Sequence, residues 1–122
     1  MIQKRLLQMA GLYLIVGVGL GLYMGITTTF TLTPVHAHLN LLGWASMAVM
    51  ALIYKSYPDA GGTALAKVHF WLHAIFLPVF MALLAAMLAG NNPALGPAVG
   101  ITAMLLGLGI LAFVVNILRF VR

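Results

Sequence analysis

Four histidines hold nearly all the chemistry this sequence offers, and they fall into two pairs with different spacing. His36 and His38 lie in Thr33-Pro-Val-His-Ala-His-Leu-Asn-Leu-Leu-Gly-Trp44, and His69 and His73 lie in His-Phe-Trp-Leu-His. A neutral imidazole is the commonest protein ligand for a metal ion, and at the rim of an apolar stretch it points to a bound metal or heme iron. Successive residues of an α-helix turn by about 100°, so His36 and His38 point about 200° apart, onto nearly opposite faces. That is poor geometry for chelating one ion and suits two separate sites. His69 and His73, at i and i+4, share a face and could hold one copper or zinc ion. The plainer reading makes them interfacial hydrogen-bonding residues in an aromatic belt beside Trp71. By helical rise, His38 lies roughly 25 Å from the cation-bearing end and His73 about 9 Å, whereas two imidazoles on one metal bring their ligating nitrogens within about 4 Å. One chain therefore does not bridge the two pairs through a single ion.

The residues that are missing narrow the chemistry further. The chain has no cysteine and a single carboxylate, Asp59. Disulfides, iron–sulfur clusters, c-type heme attachment and thiol catalysis are excluded together, and so is paired-acid chemistry. No Ser-His-Asp set can be assembled within one protomer, so no catalytic residue is assigned.

The elements that must position the histidines are membrane helices. With 122 residues, 64% of them hydrophobic and 6% charged, the sequence has too little polar surface for a water-soluble globule. A bilayer crossing takes about 20 mostly apolar residues. Four such runs occur, at Leu6 to Ile26, Val35 to Tyr54, Ala64 to Ala89 and Pro97 to Leu118. The expectation is an all-α integral membrane four-helix bundle forming one domain over residues 1–122. The first run exceeds a typical signal-peptide core and no small-x-small cleavage site follows it, so it is read as a retained helix.

Charge orients the bundle. Lys4 and Arg5 precede the first helix, Lys55, Asp59 and Lys67 lie around the second connection, and Arg119 and Arg122 end the fourth, while residues 27–34 and 90–96 carry no charge. The positive-inside bias places both termini in the cytoplasm, as a multi-pass protein of a cell membrane and, by this reading, of a prokaryotic inner membrane. The formal charge of +5 does not imply nucleic acid. Its cations are scattered at helix ends without a patch or interleaved aromatics, and topology, together with anionic lipid contact, explains them better.

Within the helices, Gly17, Gly21 and Gly25 recur at four-residue spacing and predict a close packing seam on one face. Gly100, Gly107 and Gly109 loosen the fourth helix, and Asn116 near its end reads as a cap or an interhelix hydrogen bond. Pro34 suits the first turn of the second helix, residues 59–63 form the inner turn, and Pro78 is expected to kink the third helix.

The run His-Ala-His-Leu-Asn-Leu-Leu-Gly-Trp-Ala-Ser-Met-Ala-Val-Met-Ala-Leu-Ile-Tyr54, followed by Ala66-Lys-Val-His-Phe-Trp-Leu-His73, resembles the tenth and eleventh helices of subunit I of heme-copper oxidases. The likeness is to the cytochrome cbb oxidase and nitric oxide reductase branch and covers about residues 34 to 90. It implies that His36 matches the ligand of the high-spin heme and His38 that of the low-spin heme. His69 matches a histidine of the eleventh helix that does not coordinate heme. The family subunit has about twelve helices in three quasi-equivalent groups of four, and this chain resembles only the last group. It has no counterpart of the partner copper or iron site, of the separate low-spin heme ligand, or of the outer arginines that meet heme propionates. Complete oxygen or nitric oxide reduction is not expected.

Three copies would recreate the twelve-helix layout with cyclic symmetry. The resulting expectation is a homo-oligomer, a trimer by preference, with a heme b at each subunit interface ligated by His36 of one chain and His38 of the next. Its work would be one-electron transfer with a redox partner. The other readings are a gas-binding or heme-handling protein with one open axial position, and a heme-free accessory subunit of a larger oxidase.

Overall fold

A computed structural model describes residues 1–121, which are helical nearly throughout, with no strand among them. The first span is one helix, α1 (Ile2–Thr27). The second is built from α2 (Thr33–His38), a π-helical segment (Leu39–Ala45) and α3 (Ser46–Ser56). After the short α4 (Pro58–Gly61), the third span is α5 (Ala64–Ala89). A 3₁₀ turn (Pro93–Leu95) leads into α6 (Gly96–Phe120). Four spans are long and apolar enough to cross a membrane. The chain is a multi-pass membrane protein of the all-α class.

The ends of these helices follow local chemistry. Thr63 caps α5, its hydroxyl accepting the Ala66 N–H at 3.0 Å. Asn92 does the same for Ala94 at 3.2 Å, and Pro34 sits in the first turn of α2, where its missing donor is not needed. α1 begins at Ile2, ahead of the apolar run that starts at Leu6, and the long stems of Lys4 and Arg5 let the backbone stay helical while their charges reach water. α5 runs through Pro78 as a single helix.

α1 packs along the second span, and α5 packs along α6. Leu6 and Ala10 of α1 and Met47 and Tyr54 of α3 share one buried core with Leu77 of α5 and Leu106 of α6. Outward positions such as Leu12, Ile15, Ile101 and Met104 are apolar and exposed, as a lipid-facing surface requires. The connection between the second and third spans folds back into the bundle. Ala60 is fully buried, its carbonyl accepts the Asn116 amide at 2.8 Å, and the Thr63 hydroxyl donates to the Asn116 side-chain oxygen at 2.7 Å. The interhelix role expected of Asn116 is the one it fills.

Glycine sets how closely the helices meet. A Cβ on Gly109 would lie 2.8 Å from the Leu72 Cβ and 3.4 Å from the His73 backbone nitrogen, whereas Gly107 and Gly100 face open space. Gly109→Ala is expected to lower stability by about 1–3 kcal/mol through overpacking of α6 on α5. Gly107→Ala should be neutral or slightly stabilising, and thermal unfolding of the two variants in one detergent makes the comparison.

Candidate functional site

His36 and His38 leave α2 on opposite sides, as their spacing requires. His36 turns toward α1, where its ring lies over Gly21: a Cβ there would stand 2.7 Å from the imidazole Cε1. The next glycine of the seam, Gly17, makes room for Asn40 in the same way, at 2.6 Å from the side-chain nitrogen. Gly25 has nothing opposite it, so two of the three seam positions form the contact. His38 turns instead toward α5, with its ring edge-on to Phe80 at a centroid distance of 5.3 Å.

Each of these two imidazoles turns Nδ1 to a backbone carbonyl, and His36 Nδ1 also has the Asn40 side-chain nitrogen at 3.3 Å, the longer of its two contacts. His36 Nδ1 lies 2.7 Å from the Gly17 carbonyl oxygen, and His38 Nδ1 lies 2.6 Å from that of Pro34. A carbonyl only accepts, so in both rings Nδ1 carries the hydrogen and donates. In a neutral imidazole this leaves Nε2 as the bare lone pair. The Asn40 amide supports the arrangement by donating to the His36 carbonyl at 2.9 Å. Neither Nε2 has a hydrogen-bond partner, and no buried side-chain nitrogen or oxygen among the described residues lacks one. Both lone pairs therefore open at the surface of the chain.

His69 and His73 are built the opposite way. Both are fully buried, with 0% exposure, instead of sitting in an interfacial belt; only Trp71 between them is exposed. The connection before α5 packs into the bundle at Ala60, and α5 carries the pair within the core. His73 accordingly reaches the level of Leu42, four residues and about 6 Å of rise from His38, closer than rise counting along separate helices suggests. All four ring nitrogens are engaged. Tyr54 Oη is 2.9 Å from His69 Nδ1, His69 Nε2 is 3.3 Å from His73 Nδ1, and His73 Nε2 is 3.0 Å from the Leu42 carbonyl oxygen. A metal ion at this pair would have to displace one of these bonds.

The buried chain has one consistent direction. The Leu42 carbonyl accepts, so His73 donates from Nε2 and accepts at Nδ1. His69 then donates from Nε2 and accepts at Nδ1, and the Tyr54 hydroxyl donates to it. Two neutral imidazoles satisfy every group. Tyr54→Phe leaves a buried nitrogen without a donor, with an expected loss of about 1–3 kcal/mol in denaturant unfolding, and Tyr54→Leu adds a cavity to that loss.

Sequence reasoning missed Tyr54, Asn40 and the π-helical segment. Asn40 was visible in principle, as a polar side chain one turn after His36 in an apolar helix. Tyr54 was not, because its partner lies fifteen residues away on another helix. In the π segment the Ser46 N–H bonds Leu41, five residues back, and not Leu42, four back.

No protein-family model, curated protein or solved structure matches this chain. The geometry of the four histidines carries the functional argument.

Proposed function

We propose that this chain is a membrane heme b protein that transfers single electrons, with each heme held between neighbouring copies by His36 of one and His38 of the next. The observation that carries the reading is the matched state of the two imidazoles: Nδ1–H fixed to a backbone carbonyl and Nε2 left bare and accessible. A backbone carbonyl on the far ring nitrogen fixes the tautomer and raises the basicity of a metal-ligating histidine. His69 and His73 have no lone pair in that state. The likeness of the run from His36 to Tyr54 to the heme-binding helix of heme-copper oxidase subunit I points to the same two residues.

The donor set fits a porphyrin iron better than a bare ion. Among the described residues no group of three or more histidine, cysteine or carboxylate side chains comes together, so no cage for zinc or calcium is built. Heme brings its own four nitrogens and asks the protein only for axial ligands. His36 faces α1 and His38 faces α5, so one chain cannot offer both imidazoles to one heme. Sharing between copies, in a trimer by preference, resolves this. With two axial imidazoles, heme b would supply one-electron transfer at a potential set by its ligands and burial. The termini and cations face the cytoplasm in this reading, which puts the heme site near the outer surface of a cell membrane.

The test is the absorption spectrum of protein purified from heme-replete cells. A Soret band with low-spin α and β bands in the reduced form is expected, unchanged by carbon monoxide. Carbon monoxide binding would instead indicate an open sixth position. A colourless protein whose mass in detergent is that of a monomer would overturn the proposal.

A further inference from the structure

The buried Tyr54–His69–His73 chain ends on a carbonyl that the π segment deprives of its ordinary donor. In an uninterrupted α-helix the Ser46 N–H would serve Leu42. Here it serves Leu41, and the Nε2–H of His73 reaches Leu42 from another helix at 3.0 Å. A carbonyl without a donor is poorly tolerated in an apolar interior, and π segments are rare and concentrate at functional sites. The outer edge of the same segment is held by the Asn40 amide on the His36 carbonyl at 2.9 Å.

We infer that Tyr54, His69 and His73 form a tautomer lock that holds the π segment open and thereby sets the rotation of α2, with His36 and His38, relative to α3. They are positioning residues for the outer imidazole pair. The inference that the lock serves a heme site rests on the function proposed above; the lock itself does not. The logic is directional. His73 can serve Leu42 only as the Nε2–H tautomer. Its Nδ1 must then accept, and a donor is present only because His69 is itself the Nε2–H tautomer. Tyr54 holds His69 in that form from the far end. The other titratable side chains near the π segment are His36 and His38 at its outer end and Tyr13 of α1, which packs on Gly43; α6 contributes Phe113 against His69, without charge.

If the lock is removed, only the Ser46 N–H remains to serve Leu42, and the segment winds to an α-helix. That change is one residue of register, a rotation of roughly 100° between α2 and α3, enough to lift His36 out of its slot over Gly21.

Protein labelled with ¹⁵N in histidine and serine and ¹³C in leucine, in lipid nanodiscs, provides the readout. The native chain should show hydrogen on Nε2 of both His69 and His73, with coupling from His73 to the Leu42 carbonyl. H73L should move the Ser46 amide from the Leu41 to the Leu42 carbonyl. H73Q, whose amide nitrogen can stand where Nε2 stood, should keep the native pattern. In heme-loaded protein H73L should lose the bis-imidazole low-spin signal and H73Q should retain it. Hydrogen on Nδ1 of native His73, or an unchanged Ser46–Leu41 bond in H73L, would overturn the lock, and the first of these needs no variant to fold. If the native protein carries no heme while H73L still rewinds the segment, the proposed function fails and the lock stands.

Discussion

Alanine at His36 or at His38 should each abolish heme binding when that variant is expressed alone, and co-expression of the two variants should restore part of it. The prediction follows from the opposite directions of the two rings, one against α1 and the other against α5. An interface that pairs a His38→Ala chain with a His36→Ala chain can still present one intact imidazole from each. Random assembly makes about one interface in four complete, whatever the number of subunits in the ring. The Soret absorbance per chain, relative to native protein, is the measurement. Ligation within one chain predicts no recovery on mixing. A site with one ligand and an open position predicts that only one of the two variants loses the pigment. The expected loss is large because removal of an axial ligand deletes a metal–nitrogen bond, whereas disturbance of a supporting hydrogen bond weakens metal binding by about 10- to 100-fold.

The four spans were legible because length and charge decide them. Ala64–Ala89 has the boundaries read from the sequence, and the others run a few residues further, past Lys4 and Arg5, Lys55 and Arg119 at the charged ends and into the proline-led first turns at Thr33 and Pro93 at the uncharged ends. The opposite faces of His36 and His38 were also legible, since they follow from the turn of a helix whose first residues are regular. The interior of the second span was not. Its π segment depends on a donor from α5 and a slot on α1, and neither leaves a periodic mark in the local sequence. The burial of His69 and His73 was hidden for a related reason. Their spacing and their aromatic neighbours fit a membrane interface, and only the packing of α5 against Tyr54 and Leu42 of the second span and Phe113 of α6 encloses the pair. The seam glycines were legible as a pattern, but not where the pattern stops. His36, one turn into α2, lies at the level of Gly21, and nothing comes within 4 Å of a Cβ at Gly25.

Gly21→Ala is therefore expected to behave like the loss of His36, and Gly25→Ala, one helical turn further on, to behave like native protein. At Gly21 the added methyl would stand 2.7 Å from Cε1 and 3.2 Å from Nδ1 of His36, well inside van der Waals contact. The ring cannot simply slide away, because Nδ1 is held at 2.7 Å by the Gly17 carbonyl on the same helix, and any movement off the methyl lengthens that bond. Either the hydrogen bond breaks, freeing the tautomer and the ring orientation, or α1 and α2 separate. The first should reduce heme affinity by about 10- to 100-fold, the range for a lost supporting hydrogen bond, and the second should lower stability by about 1–3 kcal/mol. At Gly25 nothing lies within 4 Å, and alanine should gain up to about 1 kcal/mol from its better helix propensity. Heme titration and thermal unfolding of the two variants separate the outcomes. Full heme affinity in Gly21→Ala would mean that His36, in the slot where the two glycines hold it, is not an axial ligand. The same loss in both variants would mean that the whole face of α1, and not one imidazole slot, governs binding.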